Sequence, residues 1–192
     1  MHELLTAIDA EFRRYRALAE AAMDQLEDGQ LAVPLGCGDA DATDNSVATI
    51  AWHHGGNLRS RFTDFLTTDG EKPWRDRDAE FAARQPARHE LLAQWNGGWE
   101  ALFGSLAALG PDDLERQITI RQQPMSVARA LSRALGHAAY HCGQIVYVAK
   151  ALRGPAWRSL SIPPGGSQAY AQNPTNELGD AHARDLQQRR GR

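Results

Sequence analysis

The stretch around which the chain is organised reads Gly136-His137-Ala138-Ala139-Tyr140-His141-Cys142-Gly143-Gln144-Ile145, inside a long helical pattern. Two helical residues four positions apart share one face, with Cβ atoms about 5–6 Å apart. The imidazoles of His137 and His141 can therefore reach a single metal ion. The alternative is one hydrogen-bonded core histidine and one solvated surface histidine. A third ligand is needed to decide between the two interpretations.

The residues next to the first histidine disfavour one kind of site. A zinc protease carries the motif H-E-x-x-H, in which a glutamate beside the first histidine acts as general base. Ala138 and Ala139 follow His137 here. Protease chemistry is therefore disfavoured.

Composition predicts one globular domain that does not bind nucleic acid. The chain has 192 residues, 42% hydrophobic and 23% charged, which suits one substantial core and makes two domains a poor fit. Its formal net charge of -3 provides no basic field for phosphate groups. Cys37 and Cys142 lack metal or redox spacing, and no apolar run predicts a secretion signal or membrane span. We therefore expect a cytoplasmic protein with no membrane partner.

Two amphipathic helices are predicted in the first part of the chain. The first runs from residue 3 to about residue 27, where Asp28-Gly29 closes it, and a loop covers residues 33–39. The second is capped by Asn45 or Ser46 and keeps its apolar period as far as Phe65.

Two further helices are predicted in the second half. The third follows Pro86 and ends near Leu109, and a period-two pattern at residues 117–121 then predicts a small hairpin or extended crossover. The fourth is capped by Ser126 and ends at Gly154-Pro155. The remaining segment is rich in Pro, Gly, Gln and Arg, so we expect it to be irregular and loosely held.

The second predicted helix contains two adjacent histidines followed by two glycines. On a helical wheel, His54 lies in the middle of the apolar line and His53 on its flank, and periodicity does not choose between them as a ligand. Gly55 and Gly56 each cost about 1 kcal/mol relative to alanine inside a helix. We therefore expect another helix or a ligand to approach closely there.

The charged residues that follow predict ion pairs. Arg59, Arg61 and Asp64 are typical of the salt-bridged surface of a helical bundle, with anion binding as the alternative. Residues 71–84 are dense in charge and lack an extended period. This pattern predicts an ordered loop with one helical turn.

Together these segments predict an all-α protein, a four-helix bundle with a long connection between the second and third helices and a short extended segment before the fourth. The bundle domain would cover residues 1–165, with an irregular polar extension over residues 166–192. Bundles build metal sites from inward side chains on facing helices. One histidine from the second helix and the pair on the fourth would leave a coordination position open, as in catalytic sites.

The histidines and their neighbours resemble the DinB/YfiT-like metal-binding four-helix bundles. In that family a histidine on the second helix, often with an asparagine four residues later, joins a His-x-x-x-His pair on the last bundle helix, commonly followed by Gly-Gln-Ile. His53 with Asn57, and His137 and His141 followed by residues 143–145, match this pattern.

The resemblance covers residues 1 to about 165, and residues 45–74 are similar to an uncharacterised DinB-like subgroup. It implies that His53, rather than His54, is the third metal ligand, and that the protein is a homodimer. The family includes thiol-dependent S-transferases and mycothiol-dependent maleylpyruvate isomerases. We therefore expect a divalent-metal-dependent S-transferase that uses a bacillithiol-like low-molecular-weight thiol on an electrophilic small molecule.

Four more side chains are candidates for supporting roles. Gln144 and Asn57, each one helical turn from a predicted ligand, could orient imidazoles or waters. Arg59 or Arg61 could bind a carboxylate of the thiol.

Two other functions stay open: a non-enzymatic metal-binding stress protein, and a metal-dependent hydrolase. Hydrolysis needs a general base near the ion, and no carboxylate lies one turn from His137 or His141. Three imidazoles accept zinc, nickel, iron or copper, so the donor set does not identify the metal.

Overall fold

A computed structural model describes residues 3–35, 45–82 and 85–190. The described chain is mostly helical, which agrees with the predicted all-α class. None of its helices is long and apolar enough to cross a membrane. In chain order the helices are α1 (Glu3–Met23), α2 (Asp28–Leu31), α3 (Val47–Phe62), α4 (Arg88–Ala108), α5 (Val127–Arg153), α6 (Ser167–Gln172) and α7 (Gly179–Arg190).

The four predicted helices correspond to α1, α3, α4 and α5, which pack around a common core. α3 lies against α4 and α5, and α1 lies against α5 and α4. Their inward faces carry large side chains that are fully buried. Among them are Phe12, Leu58, Trp95, Trp99, Leu131 and Ile145.

Serine caps begin two of these helices as predicted. Ser46 accepts a hydrogen bond from the backbone N–H of Thr49 (3.1 Å), and Ser126 accepts one from Arg129 (3.2 Å). Each bond satisfies a backbone donor that the first turn of a helix leaves unpaired. The caps fix where α3 and α5 begin.

The predicted hairpin is also confirmed. Strands β1 (Gln117–Ile120) and β2 (Gln123–Ser126) pair antiparallel. The two residues between them, Arg121 and Gln122, have φ angles of 53° and 62°. Both donate backbone N–H groups to the carboxylate of Asp69, at 2.8 and 2.7 Å. A two-residue hairpin turn of this kind normally carries Asn or Gly, so Asp69 offsets the conformational cost of the bulkier residues.

α3 and α4 approach each other closely where each helix carries a glycine. A Cβ atom on Gly55 would lie 2.5 Å from the carbonyl oxygen of Gln94, and one on Gly98 would overlap the backbone of Gly55. This contact offsets the low helix propensity of glycine. The expected close approach at Gly55 is therefore confirmed, and the approaching element is another helix.

The predicted first helix is too long. α1 ends at Met23, and Asp28-Gly29 lies inside the short helix α2 instead of closing α1. The reason is a tertiary contact, because the guanidinium of Arg88 donates to the carbonyl oxygens of Leu26 (2.6 Å) and Met23 (3.4 Å). These bonds satisfy carbonyl groups that a continued helix would use.

α3 also ends earlier than predicted, at Phe62 instead of Phe65. Asp64 has a φ angle of 49°, which interrupts a right-handed helix. The connection that follows contains one 3₁₀ turn, Ala79–Phe81, as predicted. Residues 36–39 of the predicted loop, including Cys37, lie outside the described residues.

The expectation of an irregular, loosely held end is wrong for Gly179–Arg190, which forms α7 and packs along α1. Ala183 and Leu186 are buried in this contact. His182 Nε2 donates to the carbonyl oxygen of Leu160 at 2.9 Å. Arg190 forms ion pairs with Glu20 in α1 and with Asp24 in the turn that follows α1. α7 therefore docks on α1 through a narrow apolar stripe, and the ion pairs of Arg190 add contacts at its C-terminal end.

The glycine contact leads to a stability prediction. Gly55→Ala should destabilise the protein by about 1–3 kcal/mol, because the added methyl group meets backbone and forces α3 and α4 apart. Gly104→Ala, on α4 with nothing within 4 Å of the new Cβ atom, should stabilise by about 0.5–1 kcal/mol. Denaturant unfolding followed by circular dichroism measures both changes. Equal effects of the two substitutions would contradict the tight contact.

Candidate metal centre

Three histidines from two helices meet beside a cavity. His137 and His141 lie one turn apart on α5, and His53 faces them from α3, which packs against α5. One ligand atom from each histidine lies within 4.8 Å of the other two. The three side chains are therefore close enough to hold a metal ion.

His53 is oriented by a carboxylate from the connection between α3 and α4. Its Nδ1 donates to Glu80 Oε2 at 2.8 Å, because an ionised carboxylate can only accept. A neutral imidazole with its proton on Nδ1 has a free lone pair on Nε2. Hydrogen bonds of this type fix the tautomer and the ring orientation of histidine ligands.

Glu80 is itself held in place on both oxygens. Arg75 donates to Glu80 Oε1 through Nε (2.9 Å) and to Oε2 through Nη2 (2.8 Å). The hydrogen bonds from Arg75 and His53 lower the pKa of Glu80 although burial opposes them. A Cβ atom on Gly56 would overlap the Glu80 carboxylate. Gly56 thus makes room for the group that positions His53.

His141 is oriented by the amide of Gln144. Its Nδ1 lies 2.8 Å from Gln144 Oε1, and its Nε2 lies 3.0 Å from Nε2 of His137. A carbonyl oxygen accepts, so the proton of a neutral His141 is on Nδ1, and its unprotonated Nε2 accepts the hydrogen bond from His137. The predicted role of Gln144, to orient an imidazole, agrees with this contact.

The donor set suits a divalent metal. Two nitrogens on one tetrahedral zinc ion lie about 3.3 Å apart, given Zn–N bonds of about 2.0–2.1 Å. The 3.0 Å separation of the His137 and His141 nitrogens is close to that value, and a ligand atom of His53 lies within 4.8 Å of both. Two of the three rings also have the outer hydrogen bond that is typical of histidine ligands.

Two of the three histidines, His137 and His141, have pKa values that favour the neutral form. Burial, together with the nearby His141 and His53, lowers the pKa of His137 to about 3. Burial lowers the pKa of His141 to about 4, although the hydrogen bond to Gln144 opposes the shift. Neutral imidazoles are the form that binds metal ions.

His54 is buried next to the triad but is not part of it. Its ring packs against Trp95 and Trp99, with centroid distances of 5.5 and 5.3 Å. Burial and the three neighbouring histidines lower its pKa well below the usual value. Among the described residues, neither of its ring nitrogens has a hydrogen-bond partner. The group that could share one ion contains His53 and not His54.

A cavity of about 220 Å³ opens beside the triad. His53 and His137 line it, and so do two of the predicted supporting residues, Asn57 and Arg61. Arg59 does not, because it is exposed and its guanidinium lies over the ring of Trp74, 5.1 Å from the centroid. Arg61 also donates to Glu71 at 3.1 Å, so it combines the predicted salt bridge with a position in the cavity.

Glu80 and Arg75 belong to the site but are not predicted by any sequence pattern. Both lie in the charge-dense connection, where no spacing distinguishes the carboxylate that reaches His53 from its neighbours. Gly56 was the available signal, since a glycine in a helix calls for a close neighbour, but it did not identify that neighbour. No carboxylate on α5 lies one turn from His137 or His141, as predicted, but Glu80 reaches the triad from the connection between α3 and α4.

Cys142 lies one residue beyond His141 but is a core side chain. It is buried, and burial raises the pKa of its thiol far above the usual value. A thiol in this state is not a nucleophile. Cys142 therefore contributes to the core and not to the chemistry of the site.

Glu80 leads to a prediction about metal affinity. Glu80→Gln should weaken binding of a divalent ion by roughly 10–100-fold, because outer hydrogen bonds to histidine ligands contribute about that much. Glu100→Gln, an exposed glutamate on α4, provides the matched control and should bind normally. Competition titration with a chelating dye measures the affinity, and circular dichroism checks the fold.

Metal content that is lost in His54→Ala but kept in His53→Ala would show that the triad is assigned incorrectly.

The lowered histidine pKa values predict an acid-sensitive metal-free protein. Below about pH 6.5 the unfolded chain binds protons on imidazoles, whereas folded His137 and His141 stay neutral to about 3 and about 4. Stability is therefore full above about pH 6.5 and falls as the pH is lowered towards about 4. Denaturant unfolding in the presence of chelator, from about pH 7 to about pH 5, measures the slope. A flat profile would contradict neutral buried imidazoles.

Comparison with known proteins places the chain in a family. No match was found among curated proteins or among solved structures. The family described as "Protein of unknown function (DUF1572)" matches residues 1–166, a range that contains the whole triad and the connection carrying Glu80. The chain therefore belongs to the DUF1572 family.

Proposed function

We propose that this protein is a divalent-metal-dependent S-transferase that uses a low-molecular-weight thiol on electrophilic small molecules. The observation that carries the proposal is the convergence of three imidazoles at a cavity that two of them line. The packing of α1, α3, α4 and α5 and the position of the triad support membership in the DinB/YfiT-like four-helix bundles. The homodimer implied by that resemblance stays a prediction.

The donor set supports an open metal site. His53, His137 and His141 would hold the ion, and no described carboxylate belongs to the group that could share it. An ion with three protein ligands keeps a position for an exogenous group. A divalent ion there would lower the pKa of a bound thiol and so supply a thiolate near neutral pH.

The nucleophile in this proposal comes from outside the protein. Cys142 is buried and its thiol stays protonated, and Cys37 lies outside the described residues. The sulfur of a small thiol would form a bond to an electrophilic carbon. With a chlorinated substrate, chloride would leave with the bonding electron pair and the thiol proton would pass to solvent. With an epoxide, the C–O bond would open, its electron pair would pass to the oxygen, and that oxygen would take up a proton in place of the one lost by the thiol.

The chain's own residues would bind and orient the reactants. Glu80 and Gln144 hold His53 and His141 with the ring proton on Nδ1, so that each Nε2 is unprotonated and able to bind a metal ion. Asn57 lines the cavity one helical turn after His53, where its amide can orient a bound group. Arg61 adds positive charge to the same wall.

A hydrolase is less well supported. Its general base would have to be free to take a proton from water. Glu80 is the carboxylate that touches the triad, and both of its oxygens accept hydrogen bonds from Arg75 or His53. Those bonds favour the carboxylate as a support for His53 rather than as a base.

Thiol transfer can be measured directly. Metal-loaded protein is mixed with chlorodinitrobenzene or an epoxide and with bacillithiol, glutathione or cysteine in turn, and thioether formation is followed by absorbance or mass spectrometry. His137→Ala should lower the rate by at least about 100-fold, because metal-bound nucleophiles gain several kcal/mol. His89→Ala, an exposed histidine on α4, should react like the unaltered protein.

The same preparations separate the enzyme from a non-enzymatic metal protein. Equal turnover in the unaltered protein and in His137→Ala would remove the metal from the mechanism. A large loss of thermal stability on chelation, with no thiol-dependent reaction for any of the thiols, would favour a structural ion.

A further inference from the structure

Arginines dominate the cavity beside the triad. Five of them line it, and none of the described residues that line it is acidic. Arg61 and Arg75 are largely buried, whereas Arg77, Arg121 and Arg133 are exposed. The whole chain has a net charge of -3, so this positive surface is local and is not a consequence of composition. A concave surface lined by one sign of charge concentrates ligands of the opposite sign.

The carboxylates behind the cavity neutralise only part of this charge. Glu71 Oε2 accepts from both Arg61 (3.1 Å) and Arg121 (2.8 Å), so one carboxylate serves two guanidinium groups. Glu80 is shared between Arg75 and His53. Arg77 pairs with Asp78 (3.5 Å), so three described carboxylates are ion-paired with four of the five guanidinium groups.

Two of the arginines have donors without a hydrogen-bond partner in the described part of the chain. Arg133 forms no ion pair with any described carboxylate. Arg75 has a side chain that is 2% exposed, and its Nη1 lies 3.8 Å from Glu71 Oε1, within ion-pair range but without a hydrogen bond among the described residues. An unpaired buried donor costs free energy. A negatively charged group in the cavity would relieve that cost.

Arg133 and His137 lie on one face of α5. Ala130, Arg133, Ala134 and His137 all line the cavity, at the spacing of one helical face. Four residues correspond to a rise of about 6 Å along the helix axis. A small molecule bound by Arg133 therefore lies within a few ångströms of the triad.

Arg121 is held at the cavity by the hairpin turn. Its φ angle is positive, its backbone N–H donates to Asp69 (2.8 Å), and its side chain donates to Glu71 (2.8 Å). Hydrogen bonds from backbone N–H groups lower the pKa of Asp69 to about 2 although burial opposes them. The turn thus stays anchored at neutral pH, and Arg121 is preorganised.

We propose that this arginine cleft binds a small dianion, a molecule with two carboxylates or one phosphate, and that Arg133 and Arg121 contact its charged groups. The cavity of about 220 Å³ suits a metabolite rather than a polymer, since pockets for drug-sized ligands are about 300–1,000 Å³. The inference rests on the proposed function in one respect, since that function identifies the dianion as the thiol or as its electrophile. Anion binding itself requires neither metal nor turnover.

Three probes of similar size and different charge test the proposal: succinate, succinamate and succinamide, with inorganic phosphate as a second dianion. Binding is measured by calorimetry on metal-free His141→Gln protein, so that no probe can bind through an ion. Succinate or phosphate should bind at least about tenfold more tightly than succinamate, with succinamide weakest, and added salt should weaken binding.

Two substitutions on one helix locate the contact. Arg133→Gln should weaken dianion binding by at least about tenfold, because a charge-assisted hydrogen bond is lost. Arg129→Gln, an exposed arginine one turn away that does not line the cavity, should change binding by less than about twofold. Circular dichroism confirms that both variants are folded.

Each outcome separates this inference from the proposed function. Equal binding of succinate and succinamide, with no phosphate binding, overturns the inference, and so do equal effects of Arg133→Gln and Arg129→Gln. Dianion binding with no thiol transfer in metal-loaded protein leaves the inference standing and removes the proposed function. Thiol transfer without dianion binding overturns the inference and leaves the proposed function standing.

Discussion

The close contact between α3 and α4 sets the geometry on which the candidate site depends. Gly55 and Gly98 let the two backbones meet, which fixes the depth and rotation of α3 in the core. Gly56 then presents a gap in the same helix into which the Glu80 carboxylate fits. The consequence is that His53 is held from behind by a group outside its own helix, while its other nitrogen faces α5. The adjacent residues Gly55 and Gly56 thus have different tasks. Gly55 allows the helices to pack closely, and Gly56 makes room for the carboxylate that orients His53.

The charged groups behind the triad are a cost to the fold as well as a support. Glu80 and the Arg75 side chain are 5% and 2% exposed, and moving two ions out of water costs several kcal/mol each before their attraction is counted. A bidentate pair with a third hydrogen bond to His53 recovers much of that cost. Apolar residues of similar size would stabilise this region as well. Retaining the ions is better explained by the control of an imidazole than by stability.

Much of the fold could be predicted because its signals are local. Ser46 and Ser126 mark helix starts, the spacing of His137 and His141 places both rings on one face, and the glycine pair calls for a close neighbour. The choice between His53 and His54 is different, since both are buried and only their orientation towards α5 separates them. The contact of Glu80 with His53 spans 27 residues across an aperiodic connection, so no local pattern encodes it. α7 was missed for a related reason, because its packing depends on a narrow stripe within a charged segment.

The cleft draws its charge from two kinds of backbone. The imidazoles, Arg61 and Arg133 project from α3 and α5, whose positions are fixed by the core, whereas Arg75, Arg77 and Arg121 project from the connection and the hairpin turn. Loops accept substitutions that a packed helix does not. Substitutions in the loops can therefore change part of the charge that lines the cleft while the three nitrogen donors stay the same. The scaffold can diversify the molecules it admits without rebuilding the centre they approach.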